Sequence, residues 1–348
     1  MKALVTGGGG FLGGHVVRQL LQRGDTVRVL GRSDYPELTT LGADCIRGDI
    51  RDRASAIRAC AGVDVVFHVA AKAGIWGKPA EFEAINVDGT RKVIEACRQS
   101  GVPRLVFTSS PSVVFGKDDL CGVDESQPYP SKFLADYPRT KAAAERLVLA
   151  ANGPALATVA LRPHLIWGPG DPHLLPRVVD RARRGKLVQV GDGQNLVDIT
   201  YVENAANAHL NACDALFPNS ACSGKTYFIS QGEPVRLWSW LNDILLALDV
   251  PPVTRRISFR SAYLMGAILE RTFALFRPSG EPPMTRFLAT QLAKHHFFSI
   301  KNAVAGFSFA PRVSTQDGLQ KTIPWLRANT AKANPAPLRM PRELERTT

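Results

Sequence analysis

The first fourteen residues, MKALVTGGGGFLGG, constrain the fold more than any other stretch of the 348-residue chain. An apolar run from Ala3 to Val5 passes into four consecutive glycines, and Phe11-Leu12-Gly13-Gly14-His15-Val16-Val17 then opens an amphipathic helix. Strand, glycine turn and helix in this order bring backbone close to a phosphate. Without a Cβ the main chain can take positive φ and pack against a pyrophosphate, whose charge sits at the positive end of the helix that follows. Gly8, Gly10 and Gly13 read as G-x-G-x-x-G, while Thr6-Gly7 with Gly10 and Gly13 reads as the narrower T-G-x-x-G-x-x-G. Glycines alone would also suit a flexible turn. A second apolar run, Thr26 to Leu30, follows the helix at βαβ distance and favours a dinucleotide site held by Gly7, Gly10, Phe11, Leu12 and Gly13.

The rest of the nucleotide site is expected at later strand ends. After Leu30 comes Gly31-Arg32-Ser33, with no acid to bind the adenosine ribose hydroxyls; Arg32 can instead pair with a 2′-phosphate, which favours NADPH/NADP over NAD. The competing reading of Arg32 is a solvated surface charge. A third strand ends in Asp49-Ile50, where Asp49 can accept from an adenine amine. A fourth, Asp64 to Val69, ends in Ala70-Ala71, small enough for a ribose to lie against backbone. Asn86 is read as a cap before a helix through Ala96.

Leu105 to Thr108 delivers Ser109 and Ser110 at the carboxyl end of a strand, the edge where α/β enzymes keep their ligands. Tyr137-Pro138-Arg139-Thr140-Lys141 opens a helix through Leu149, and residues four apart share a helix face. Of the six tyrosines, only Tyr137 has lysine four positions on. A ketone reductase needs a hydride donor, a polariser for the carbonyl oxygen and an acid. A nicotinamide, a serine hydroxyl and a tyrosine pulled from about 10 toward neutrality by a nearby ammonium supply them. The catalytic expectation is Ser110, Tyr137 and Lys141, with Lys141 also bonding the nicotinamide ribose.

Composition narrows the alternatives. The 45% apolar content suffices for one large core or two smaller ones. The six cysteines fall without C-x-x-C pairs, so no metal site and no disulfide framework is expected, and a reduced, cytoplasmic setting fits. A first strand beginning at residue 2 leaves no room for a signal peptide, and no apolar run reaches membrane-span length. The formal net charge of +12 is spread along the chain without basic, aromatic-interleaved runs, so nucleic acid is not an expected partner.

Taken together, T-G-x-x-G-x-x-G, Asp49, Ser109-Ser110, Tyr137-x-x-x-Lys141, Leu161-Arg162-Pro163 and Trp167-Gly168-Pro169-Gly170-Asp171 resemble the extended short-chain dehydrogenases, in particular the 3β-hydroxysteroid dehydrogenase-like branch. Ala70 to Gly77, Thr108 to Val113 and Leu161 to Asp171 look most like the 2-alkyl-3-oxoalkanoate reductases of bacterial long-chain olefin biosynthesis. The resemblance covers about residues 1 to 325. It implies NADPH-dependent reduction of a 2-alkyl-3-oxo fatty acid, Ser110 rather than Ser109 as the catalytic serine, and Pro163 among the cofactor contacts. It also implies a homodimer and assembly with other enzymes of the olefin pathway. Nucleotide-sugar relatives carry an arginine before the Asp-Phe that follows Gly-Asp-Gly; here Gly191-Asp192-Gly193 leads to Val197-Asp198-Ile199, which removes that diphosphate clamp.

The expected architecture is α/β: a doubly wound parallel Rossmann sheet over residues 1–171, to which 194–230 return. Residues 172–193 and 231–330 form a smaller interwoven C-terminal substrate lobe, and 331–348 a Pro-rich disordered tail. For the substrate, Trp76 and Trp167 are expected to face the acyl chains, and Lys72 and His164 to meet the carboxylate; ordinary core and a solvated charge are the alternatives. Met265, Ile268, Leu269, Phe273 and Phe276 follow helical spacing, flanked by Arg255, Arg256, Arg260, Arg271 and Arg277. Such a helix packs on the lobe's own core or forms an apolar lid or a peripheral contact with the inner face of the membrane.

Overall fold

A computed structural model describes residues 1–276 and 280–330. Arg277 and the expected tail, 331–348, lie outside the described residues.

Seven strands form the central sheet: β1 (Lys2–Thr6), β2 (Thr26–Gly31), β3 (Asp44–Arg47), β4 (Val65–His68), β5 (Arg104–Thr108), β6 (Ala157–Pro163) and β7 (Lys225–Ile229). Their order is β7-β6-β5-β4-β1-β2-β3, and every pairing is parallel. Period-two alternation explains why both faces are covered. Ala3 and Val5 face one apolar cluster and Leu4 the other; Val65 and Phe67 oppose Val66, and Val159 and Leu161 oppose Ala160. The Phe11–Gln22 and Val202–Ala215 helices close the first face with Val16, Leu20, Ala205 and Ala212. The Arg53–Cys60, Gly89–Gln99 and Asp136–Ala150 helices close the second with Ala56, Val93, Cys97 and Val148.

A third cluster lies under the smaller lobe, built on Trp238, Trp240, Leu241, Ile244 and Leu245. The packing crosses the expected division of the chain. Trp167 and Tyr201 join the lobe's cluster, with Trp167 edge-on to Trp240 at 5.5 Å, whereas Ala303, Phe307 and Phe309 pack on the first face of the central sheet.

The helix expected around residues 265–276 spans Phe259–Phe276, and only part of its apolar surface meets the lobe's core, through Ala262, Tyr263 and Leu269. It buries Ala262 and Gly266 against the Arg286–Ala293 helix, so closely that a Cβ on Gly266 would fall 2.6 Å from the Thr285 carbonyl carbon. Leu264, Met265, Ile268, Leu275 and Phe276 remain exposed. Small residues set the closest approach to the neighbouring helix.

Candidate active site

A cleft of about 980 Å³ opens along the carboxyl ends of the central strands. Gly7, Gly10, Phe11, Leu12 and Gly13 line one end, followed by Arg32 after β2, Asp49 and Ile50 after β3, and Ala70, Ala71 and Lys72 after β4. Ser109 and Ser110 follow β5, Pro163 closes β6, and Tyr137 and Lys141 come from the Asp136–Ala150 helix.

The glycine turn is shaped by close approach. Gly7 has φ +71°, and a Cβ there would fall 2.8 Å from the Ala70 Cα; a Cβ on Gly13 would fall 2.2 Å from the Gly7 carbonyl oxygen. The helix that follows begins at Phe11 with no side chain capping it, so its first-turn N–H groups and positive end are turned toward the cleft for an anion. These features fit a dinucleotide. Gly7 and Phe11 to Gly13 would hold its pyrophosphate, and Arg32, exposed at the strand end, would meet the adenosine end.

Lys141 is buried and donates from Nζ to the Thr108 carbonyl oxygen, with its ammonium 4.1 Å from the Phe107 ring centroid. Burial pulls it down from its ordinary value to about 7. Behind it His68 is bonded to the Thr6 and Thr90 hydroxyls at 2.7 and 3.0 Å, and burial pushes its ring down to about 3. Tyr137 was expected to be lowered by the lysine. Instead burial raises it above the ordinary tyrosine value, with the Ser110 hydrogen bond acting the other way. A lysine that is itself desolvated and engaged with Thr108 cannot serve as a full charge beside the phenol.

The two serines differ. Ser110 Oγ is bonded to Ser112 Oγ at 2.9 Å, and accepts from Ser112 N at 3.2 Å as the cap of a short 3₁₀ turn; Ser109 Oγ is buried and, among the described residues, has no partner.

Several expected roles are corrected. Asn86 caps no helix: it is buried, accepts from Lys72 N at 2.7 Å, and donates to Lys72 O at 3.1 Å and Thr140 Oγ1 at 3.0 Å. It thereby ties the segment after β4 to the helix of Tyr137. Trp167 is fully buried in the lobe cluster, and His164 is buried with its Nε2 2.7 Å from His296 Nδ1. Neither lines the cleft: of the segment after Pro163, Leu165 and Ile166 reach it, while His164 and Trp167 pack inside. Lys72 does line the cleft, but its Nζ is 2.8 Å from Glu81 Oε2. Trp76 lines a neighbouring apolar pocket of about 290 Å³ with Phe82, Leu134, Ala135 and Ala274. Glu81, Leu165, Ile166 and Leu174 line the main cleft without having been singled out in the sequence. Single residues in elements as short as these, or between them, carry no periodic signal to find them by.

Fold and cleft together define a Rossmann-type oxidoreductase with a nicotinamide-dinucleotide site, acting at a keto or hydroxyl carbon. The chain belongs to the 3-beta hydroxysteroid dehydrogenase/isomerase family, whose model matches residues 4–259. It is 51% identical to the 2-alkyl-3-oxoalkanoate reductase of Stenotrophomonas maltophilia over 95% of this chain and 100% of the relative. The protein of the same name from Shewanella oneidensis is 45% identical, over 92% of this chain and 84% of the relative. The mouse sterol-4-alpha-carboxylate 3-dehydrogenase, decarboxylating, is 36% identical over 92% of this chain and 90% of the relative. Among solved structures, MoeE5 in complex with UDP-glucose and NAD superposes with a TM-score of 0.74 at 27% identity, covering 94% of this chain and 99% of that one. Among the described residues no group of three or more metal-ligating side chains occurs, and no helix is long and apolar enough to cross a membrane.

Proposed function

We propose that this chain reduces the 3-keto group of 2-alkyl-3-oxoalkanoic acids to 2-alkyl-3-hydroxyalkanoic acids with NADPH, a step of long-chain olefin biosynthesis. The observation that carries this reading is the single cleft that joins the glycine turn to Ser110, Tyr137 and Lys141. When bound, the reduced nicotinamide supplies the hydride. Tyr137, held in its protonated form by burial, gives its proton to the oxygen of the reacting carbon, and Ser110, which lines the same cleft, polarises the carbonyl. Lys141 holds the ribose side of the cleft and lies near its titration midpoint at neutral pH, so it can pass a proton onward to reload the phenol. Arg32 and the lack of an acid at the end of β2 support NADPH.

The names of the relatives point to one substrate pattern. A 2-alkyl-3-oxoalkanoate and a sterol 4-carboxylate oxidised at carbon 3 both carry a carboxylate on the carbon next to the reacting one. Lys72 is the cation on this cleft suited to that carboxylate, in exchange for part of its contact with Glu81. A nucleotide-sugar reading has less support. At the place of the missing arginine stands Val197, fully buried in the lobe's cluster, and Asp198 beside it is buried and accepts from Phe298 N at 2.7 Å, which makes both part of the lobe's framework. A peripheral contact with the inner membrane face fits the uncovered face of the Phe259–Phe276 helix and its neighbours Arg260 and Arg271. The homodimer and the assembly with other pathway enzymes rest on the resemblance alone.

The test is NADPH oxidation by the purified chain with long-chain 2-alkyl-3-oxo acids, 3-oxosteroids and UDP-sugars. Turnover of the acids with kcat/KM well above the other two classes is expected. Preference for a steroid or a sugar nucleotide would overturn the assignment.

A further inference from the structure

Two glycines beside the cleft are glycine for the sake of one side chain. Gly9 and Gly31 do not lie in the positive-φ region, so backbone conformation does not demand them. A Cβ on Gly9, however, would fall 1.9 Å from Tyr35 Cε1, and a Cβ on Gly31 would fall 2.3 Å from the Tyr35 hydroxyl oxygen. The Tyr35 ring therefore spans the slot between the glycine turn and the end of β2, on the wall that also presents Arg32 and Ser33. Its backbone is anchored, since the Tyr35 carbonyl accepts from Thr39 N at 3.0 Å and Thr39 Oγ1 at 3.2 Å at the start of a short helix.

We infer that Tyr35 is a specificity-determining residue for the cofactor, its hydroxyl joining the Arg32 guanidinium as a second donor to the adenosine 2′-phosphate. This rests on the NADPH reading above. Among the described residues the Tyr35 hydroxyl has no hydrogen-bond partner, and Arg32 has no acidic group within ion-pair distance. Of the two nearby acids, Asp49 is paired with Arg51 at 2.7 Å, and Asp34, largely exposed, makes only a loose 3.9 Å contact with Arg47. A ribose with free hydroxyls needs an acceptor at this corner, and the corner offers donors and a spare positive charge. A dianionic phosphate is the group that matches it.

The experiment is calorimetric titration of the full chain with 2′,5′-ADP and with 5′-AMP, probes that carry no nicotinamide and need no turnover. The parent chain is expected to prefer 2′,5′-ADP. Tyr35→Phe, which keeps the ring, should weaken 2′,5′-ADP about tenfold and leave 5′-AMP unchanged. Gly31→Ala, whose methyl displaces the hydroxyl, should reproduce that loss and add nothing to it in the Tyr35→Phe background. If Arg32→Ala weakens 2′,5′-ADP selectively while Tyr35→Phe weakens both probes equally or neither, the Tyr35 inference fails and the NADPH reading stands. If the parent chain binds the two probes equally, both fail together.

Discussion

Arg162 and Glu145 form a two-point ion pair inside the protein, with Arg162 Nε 3.0 Å from Glu145 Oε2 and Nη2 2.6 Å from Oε1. The pair joins β6, one residue before Pro163, to the helix that carries Tyr137 and Lys141. Tyr129 adds a hydroxyl donated to Glu145 Oε1 at 2.6 Å, and the guanidinium lies 5.1 Å from the Phe228 ring centroid. Both charges are nearly sealed from water, with side-chain exposures of 3% and 0%. A buried pair adds little net stability over apolar residues but fixes geometry, and removing one partner strands the other charge. Glu145→Gln should destabilise the chain by about 3 to 5 kcal/mol, measured by urea unfolding. A Glu145→Met/Arg162→Met double variant should recover much of that loss. A single variant as stable as the parent would show that the pair does not tie the helix down.

How far the sequence foretells this site depends on the kind of contact. The glycine turn, Ser110, Tyr137 and Lys141 stand at fixed offsets within local strand–turn–helix units, and the parallel sheet gathers them at one edge. Arg162 was visible only as part of a family-like motif, because its partner is seventeen positions away on another element and no periodicity links them. Trp167 and His164 were misplaced for a related reason. An aromatic beside a Gly-Pro-Gly turn reads as a ligand wall, yet the chain there dives into the lobe, where Trp167 meets Tyr201 and Trp240. Tyr35 carries no signal in the sequence, because its meaning lies in the room that Gly9 and Gly31 leave for its ring.

Lys141 gives a pH signature. Its value in the folded chain is near 7 against 10.5 ordinarily, so between those two values the unfolded chain binds a proton that the folded chain does not. Stability from this group therefore rises with pH across that window, and the penalty for burying the charge is complete below it. Lys141→Met should be more stable than the parent at pH 6, by on the order of a few kcal/mol less the lost hydrogen bond to Thr108, and the gap should shrink toward pH 10. Urea unfolding of the cofactor-free proteins at pH 6, 8 and 10 reads this directly. A gap independent of pH would mean that Lys141 keeps an ordinary value.

Tyr137→Phe separates proton delivery from binding. The phenol serves proton transfer, while the glycine turn would hold the cofactor elsewhere in the cleft. Loss of the hydroxyl should lower kcat by at least about 10²-fold with NADPH affinity nearly unchanged. Stopped-flow turnover and fluorescence titration of NADPH check the two halves, and near-normal kcat would remove Tyr137 from the acid role.

The last prediction concerns the acyl chains. The pocket lined by Trp76, Phe82, Leu134, Ala135 and Ala274 also takes in Asp136, the residue before Tyr137 in the chain, and its walls are mostly apolar. Phe82 is buried and Trp76 half-buried, so the indole can give up its remaining exposure to a hydrocarbon. Each methylene moved from water into such a pocket is worth up to about 0.8 kcal/mol, or roughly fourfold in kcat/KM. For 2-alkyl-3-oxo acids of increasing length, kcat/KM should climb at up to that rate and level off once the pocket is full. Trp76→Ala widens the wall and removes its contact area, so the climb should flatten while the shortest acids react almost as before. Equal kcat/KM for short and long acids in the parent chain would refute the long-chain assignment. A slope unchanged by Trp76→Ala would place the chains elsewhere, leaving the uncovered face of the Phe259–Phe276 helix as the next wall to test.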